Sequence, residues 1–169
     1  MELACLVEIP RGSRNKYEYD ERTGAIWLDR RLFSSVVFPA DYGFLEGTLT
    51  EEGRHVDALM LVNEPTFPGC HVLVRPLGLF RMRDEAGIDD KVLTVPVHDP
   101  DWMSVAELDD VAPQLLDEIA HFFSIYKDLE PRRVTAIEGW ADRAAAEQEI
   151  EEALERFRAE PVASPADSG

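Results

Sequence analysis

The chain has 169 residues, a mass of 19.1 kDa and 45% hydrophobic residues, which fits a single globular domain with a sizeable core, and no second domain is expected. Its 34 acidic and 17 basic residues give a net charge of -17, a field that argues against nucleic acid and anionic membrane as partners unless a local patch overrides it. No window approaches about 18 uninterrupted apolar residues, and Met1-Glu2 opens no basic segment followed by an apolar one, so the expected location is cytoplasmic. Cys5 and Cys70 sit among apolar neighbours in no metal-like spacing and are expected to be buried free thiols.

From residue 5 to residue 97 the pattern is short β-like runs broken by turn residues: 25–28, 56–62, 70–82 and 92–97. This half predicts a small β-barrel. From Val111 to Lys127 the period changes, with Leu115, Leu116, Ile119, Phe122, Phe123 and Tyr126 at helical spacing behind Pro113. A further strand is expected over 133–138. A closing helix is expected over 142–159, with Ile150, Ala153, Leu154 and Phe157 on one face. The segment 161–169, rich in Pro, Ala and Ser, is expected to be a disordered tail.

Three segments carry chemistry. In Lys16-Tyr17-Glu18-Tyr19-Asp20, strand alternation puts Lys16, Glu18 and Asp20 on one face, which either faces water or looks into the barrel mouth. Asp84 to Lys91, bent at Gly87, reads as a hairpin loop that brings Asp84 and Asp89 together beside Lys91. Two carboxylates about 4 Å apart repel by roughly 4 kcal/mol at an effective dielectric near 20, so a divalent cation between them is one reading and a splayed polar tip the other. Tyr126-Lys127 ends the helix, where the lysine complements the negative end of the dipole or reaches a phosphate. With Arg30 just after a strand and Asp41-Tyr42-Gly43-Phe44 in a turn, the set offers carboxylates for metal and Lys16, Arg30, Lys91 and Lys127 for phosphate oxygens.

The runs 8–20, Pro39-Ala-Asp-Tyr-Gly-Phe44, Pro68-Gly-Cys70, Arg75-Pro-Leu-Gly78, Asp84-Glu-Ala-Gly87 and 121–130 resemble, in order, the soluble family I inorganic pyrophosphatases. The resemblance implies an α+β, mainly β fold: an OB-like five-stranded β-barrel with flanking helices, formed as one domain over 1–160. It implies hydrolysis of inorganic pyrophosphate by metal-activated water with Mg²⁺, Mn²⁺ or Zn²⁺ as alternatives, in a homo-hexamer. Carried over position by position, Glu8 is an outer acidic residue, and Glu18, Glu52, Asp57, Asp84 and Asp89 are metal ligands. Lys16, Arg30, Lys91, Tyr126 and Lys127 hold phosphates, and Tyr42 lines the site.

The signature loop of that family, Asp-Gly-Asp-Pro-hydrophobic-Asp, here reads Glu52-Gly53-Arg54-His55-Val56-Asp57. Glu52 keeps its charge but lengthens by a methylene, a displacement of roughly 1 Å where Mg²⁺ wants contacts near 2.1 Å. Arg54 stands where an aspartate would orient or deprotonate the attacking water, and a guanidinium accepts no proton. It turns outward, displaces a metal or grips an anionic substrate. His55 is a substitute base or a solvated loop residue. Phe38 lacks the hydroxyl of a tyrosine common at that position. These departures leave three functions in view: pyrophosphate hydrolysis, turnover of another diphosphate or phosphate ester, and silent phosphate or metal binding.

Overall fold

The computed structural model describes residues 1–160, and the expected disordered tail at 161–169 lies outside them. The strands are β1 (Leu3–Ile9), β2 (Asn15–Asp20), β3 (Ala25–Arg31), β4 (Asp41–Leu45), β5 (Val56–Met60), β6 (His71–Asp84), β7 (Gly87–Ile88), β8 (Lys91–Pro96) and β9 (Thr135–Ala141). The helices are α1 (Pro113–Ile125) and α2 (Arg143–Ala159), with a short 3-10 turn at Leu108–Asp110.

β1 pairs β4, β4 pairs β5, β5 pairs β8 in parallel, β8 pairs β6, and β6 returns to β1. The ring closes on five strands, the OB-like barrel that the family resemblance implies. Closure depends on the length of β6: its first residues pair β1, its middle pairs β8, and its last six residues pair β9. A register shift at Pro76 to Gly78 bends β6 where proline cannot donate to the ladder.

Burial explains why β5 and β8 read as continuous apolar runs. In β5, Val56, Ala58 and Met60 enter one core cluster with α2 residues Ala146, Ile150 and Ala153, while Leu59 enters the other with Phe122 and Phe123 of α1. Both faces of the strand are buried except at Asp57. α1 starts with Pro113 at its first turn, and α2 is capped by Asp142, whose carboxylate accepts from the Ala145 amide at 2.9 Å.

Four sequence expectations change in detail. Asp41 to Phe44 forms strand β4 and no turn, because the Asp41 carboxylate is spent internally on the Arg11 amide (2.7 Å) and on the amide and hydroxyl of Thr66 (2.9 and 2.6 Å). Gly43 lets β4 approach β1: a Cβ there would sit 1.9 Å from the Leu6 carbonyl oxygen. Arg30 lies within β3, and Cys70 is only half-buried whereas Cys5 is buried. Phe157 leaves the buried face of α2 and is 42% exposed, with its ring 6.3 Å from that of His55.

Candidate active site

A cleft of about 1060 Å³ opens where β2 and β3 stand over the end of the barrel, and Glu8, Lys16, Glu18, Arg30, Tyr42, Asp57, Asp84, Asp89, Tyr126 and Lys127 all line it. The parallel pairing of β5 with β8 sets its floor, since the register puts Asp57 beside Lys91. The Lys91 ammonium, 1% exposed, donates to Asp57 Oδ2 at 3.1 Å and to Asp89 Oδ1 at 2.9 Å, and lies 5.4 Å from the ring centres of Tyr42 and Phe123. Burial alone would lower the Lys91 pKa, but the fields of Asp57 and Asp89 outweigh it and hold the group protonated. Burial raises the Asp89 carboxyl, against the pull of Lys91.

The Tyr42 hydroxyl donates to the same Asp57 Oδ2 at 2.5 Å. Asp57 Oδ1 and Asp89 Oδ2 therefore keep no protein donor among the described residues. Asp84 closes the floor from the end of β6, accepting from the Ala86 amide at 2.8 Å and from Lys127 Nζ at 3.1 Å. Burial opposes ionisation of Asp84, yet these donors hold its pKa below the usual range.

The β2–β3 hairpin supplies the cleft cations Lys16 and Arg30. Lys16 and Arg30 are register partners, an arrangement of like charges that destabilises a ladder unless an anion lies between them. A register shift leaves Asp29 unpaired, and its carboxylate bonds both Lys16 (3.4 Å) and Arg30. Arg30 is also held in a fork by Glu130, at 3.0 Å on both oxygens, and Lys16 pairs with Glu18. Glu8 accepts the Tyr19 amide at 2.7 Å, and burial pushes its carboxyl up to about 7. Burial, with Asp89, Asp84 and Asp57 nearby, raises the Tyr126 phenol, which stays a protonated donor.

The signature loop divides. Asp57 lies on the floor, while Glu52 is exposed and lines only an adjoining recess of about 180 Å³ that also contains Arg54, Asp57 and Asp89. His55 is neither a free base nor a solvated residue. Its ring stacks on Phe44 (4.6 Å, 6°), Nδ1 donates to the Thr48 carbonyl at 2.7 Å, and Nε2 lies 2.7 Å from Glu21. Phe38 is buried in the core against Tyr42 and Phe122 and does not line the cleft.

Asp29, Glu130 and Arg133 are cleft residues or direct partners that the sequence reading did not single out. Glu130 acts across 100 positions on Arg30, so only its place three residues after Lys127 hinted at it. Among the described residues no three His, Cys, Asp or Glu side chains converge as a ready-made metal cage, because the aspartates lean on Lys91 and Lys127. The donor set is nonetheless all oxygen, with two unclaimed carboxylate oxygens on the floor, and it fits a hard divalent cation.

Lysines, an arginine and phenols opposite a floor of carboxylates, at the mouth of a closed barrel, define a protein that handles condensed phosphates with a divalent cation. The sequence profile of inorganic pyrophosphatases matches residues 5–158. An inorganic pyrophosphatase of Streptomyces coelicolor is 51% identical over 158 residues, covering 94% of this chain and 97% of that one. The structure is similar to inorganic pyrophosphatases of Thermus thermophilus (TM-score 0.91, 42% identity, 93% and 91% of the two chains) and Helicobacter pylori (TM-score 0.90, 36% identity, 93% and 94%). The chain belongs to the inorganic pyrophosphatase family.

Proposed function

We propose that the cleft hydrolyses inorganic pyrophosphate to two orthophosphates with Mg²⁺, for which Mn²⁺ or Zn²⁺ can substitute. The observation that carries this reading is Lys91, buried and clamped between Asp57 and Asp89, with one oxygen of each aspartate left free toward the cleft. Asp57, Asp84, Asp89 and Glu18 would hold the cation, which when bound shields phosphate charge and acidifies a water. Glu52 would join them from the adjoining recess, which Asp57 and Asp89 also line.

The chain's own groups do the rest. Lys16, Arg30 and Lys127 meet phosphate oxygens and release Asp29, Glu18 and Asp84 as they do so. Tyr126 donates its hydroxyl, and Asp57 Oδ1 orients the water, since Arg54 accepts no proton. Tyr42 fixes Asp57 through Oδ2 and keeps the other oxygen facing the cleft. Water adds to one phosphorus, the bridging P–O bond breaks, and the second phosphate leaves.

We extend the reading to a homo-hexamer in the cytoplasm, without nucleic-acid or membrane partners. Family membership and the net charge of -17 support it. No helix among the described residues is long and apolar enough to cross a membrane. The test is phosphate release from pyrophosphate by the purified chain with Mg²⁺. A flat trace at high enzyme concentration, with pyrophosphate still bound by calorimetry, would leave a silent binder in place of an enzyme.

A further inference from the structure

The β2–β3 hairpin is a two-stranded sheet of its own, outside the barrel ladder, and it carries Lys16 and Arg30 into the cleft. Its base is pinned to the buried core residue Phe38: the Gly12 amide donates to the Phe38 carbonyl at 2.8 Å and the Phe38 amide to the Ser13 carbonyl at 3.0 Å. Among the described residues no backbone-to-backbone bond ties the far end, 20–24, to the barrel. Side chains do that instead.

Glu21, in the turn after β2, reaches His55 Nε2 at 2.7 Å. The other side of the same ring is fixed by the Thr48 carbonyl, 2.7 Å from Nδ1, and its face lies parallel to Phe44 at 4.6 Å. A carboxylate and a carbonyl are both acceptors, so the two bonds together use both ring nitrogens as donors. Phe44 in turn lies 5.8 Å from Tyr19 of the hairpin, whose amide donates to Glu8 of β1 at 2.7 Å. Tyr19, Glu21, Phe44 and His55 thus form a wall shared by the cleft and a second cavity of about 470 Å³.

His55 stands two residues before Asp57, at the proline position of the signature loop. A proline fixes its own φ through its ring and has no polar side-chain atom with which to reach a neighbour. Here side-chain contacts do the fixing, and one of them lies on the hairpin. We propose that His55 is a positioning residue: by latching Glu21 it sets the hairpin cations Lys16 and Arg30 at their working separation from Asp57 and so preorganises the grip on a diphosphate. This rests on the function proposed above. Without the latch the hairpin tip samples lifted positions, and a ligand must bring it down before both walls of the cleft engage. Apparent affinity then falls by the fraction of molecules in which the tip is down.

The test measures kcat and KM for pyrophosphate with Mg²⁺ in the full chain, in Glu21→Ala, Glu21→Gln and His55→Phe, and in the Glu21→Ala/His55→Phe double variant. Exchange of the Tyr19 amide, followed by NMR, reports lifting of the hairpin from the barrel without reference to activity. Glu21→Ala and His55→Phe should each raise KM about threefold to fivefold, the upper range for a partly exposed ion pair, with kcat within about twofold. The double variant should be no worse than either single one, since a single interaction is lost in all three. Glu21→Gln, which keeps the length and a hydrogen bond to the ring, should bring KM back toward the unmodified value, and Tyr19 exchange should quicken in both single variants. An unmoved KM, a loss confined to kcat, additive losses in the double variant or unchanged Tyr19 exchange overturns the proposal. Pyrophosphate bound without turnover would remove the function proposed above and leave calorimetry to decide this one: the dissociation constant should rise by the same factor in the single variants, and an equal constant overturns it. No binding of pyrophosphate removes both.

Discussion

The floor of the cleft and its rim follow different physical rules. On the floor, Asp57, Asp89 and Lys91 stand at the ends of barrel strands or beside them, shielded by Tyr42 and Phe123 and bonded to each other at 2.9 to 3.1 Å. On the rim, Glu51 to Arg54 are exposed on a loop turned by Gly53 at φ 75, with open space around it. A substitution on the floor strands a buried charge, whereas one on the rim changes what meets the ligand while leaving the barrel intact. That is why the departures at Glu52 and Arg54 coexist with a closed fold.

Four experiments break or sharpen this contrast. Lys91→Met leaves two carboxylates facing each other without their shared cation, and removal of one partner of a buried pair costs about 3–5 kcal/mol. Urea unfolding should show that loss, and an unchanged midpoint would dissolve the distinction between floor and rim. Asp57→Ala should lower kcat for pyrophosphate about 10²–10³-fold by removing the oxygen that orients water. Asp89→Ala should follow in the same direction.

On the rim, Glu52→Asp combined with Arg54→Asp should raise pyrophosphate turnover at least about tenfold by restoring ligand geometry and a proton acceptor. No gain would mean that the loop works differently from its relatives. The smallest effect concerns Glu8, whose folded pKa is raised to about 7 from 4.5 by burial. A carboxyl raised on folding favours the fold while it is protonated. Its contribution is full below pH 4.5 and fades as pH rises to about 7. Melting temperatures measured in EDTA should show Glu8→Gln losing less stability than the unmodified chain across that window. Parallel curves would show that burial does not perturb Glu8.

Much of the floor was legible because its residues sit in periodic or turn-bounded segments. Alternation in 16–20 put Lys16, Glu18 and Asp20 on one face, and Lys16 does bond Glu18; the hairpin reading brought Asp84 and Asp89 together, and both line the cleft, with the buried Lys91 bonded to Asp89. Asp41 and Gly43 misled because both are turn formers. Strand β4 overrides that preference by burying the aspartate among three donors and by using the glycine for close approach to β1. Asp29 was hidden by a register shift that local alternation cannot reveal, and Glu130 by its distance along the chain. His55 shows the limit from the other side. Its neighbours in sequence suggest solvent, but Phe44, Thr48 and Glu21 converge on it from β4, the loop after it and the β2–β3 turn.

The parallel alignment of β5 with β8 has a kinetic consequence. Asp57 and Lys91 are 34 residues apart, and they meet only when two strands not joined by a hairpin come into register. Pairings of that kind form late, since loop closure must precede the contacts that reward it. A chain with its hairpins made and its helices wound would still lack the ammonium bridge. During refolding, enzymatic competence should therefore return with the last step of barrel assembly and not with the earlier recovery of secondary structure.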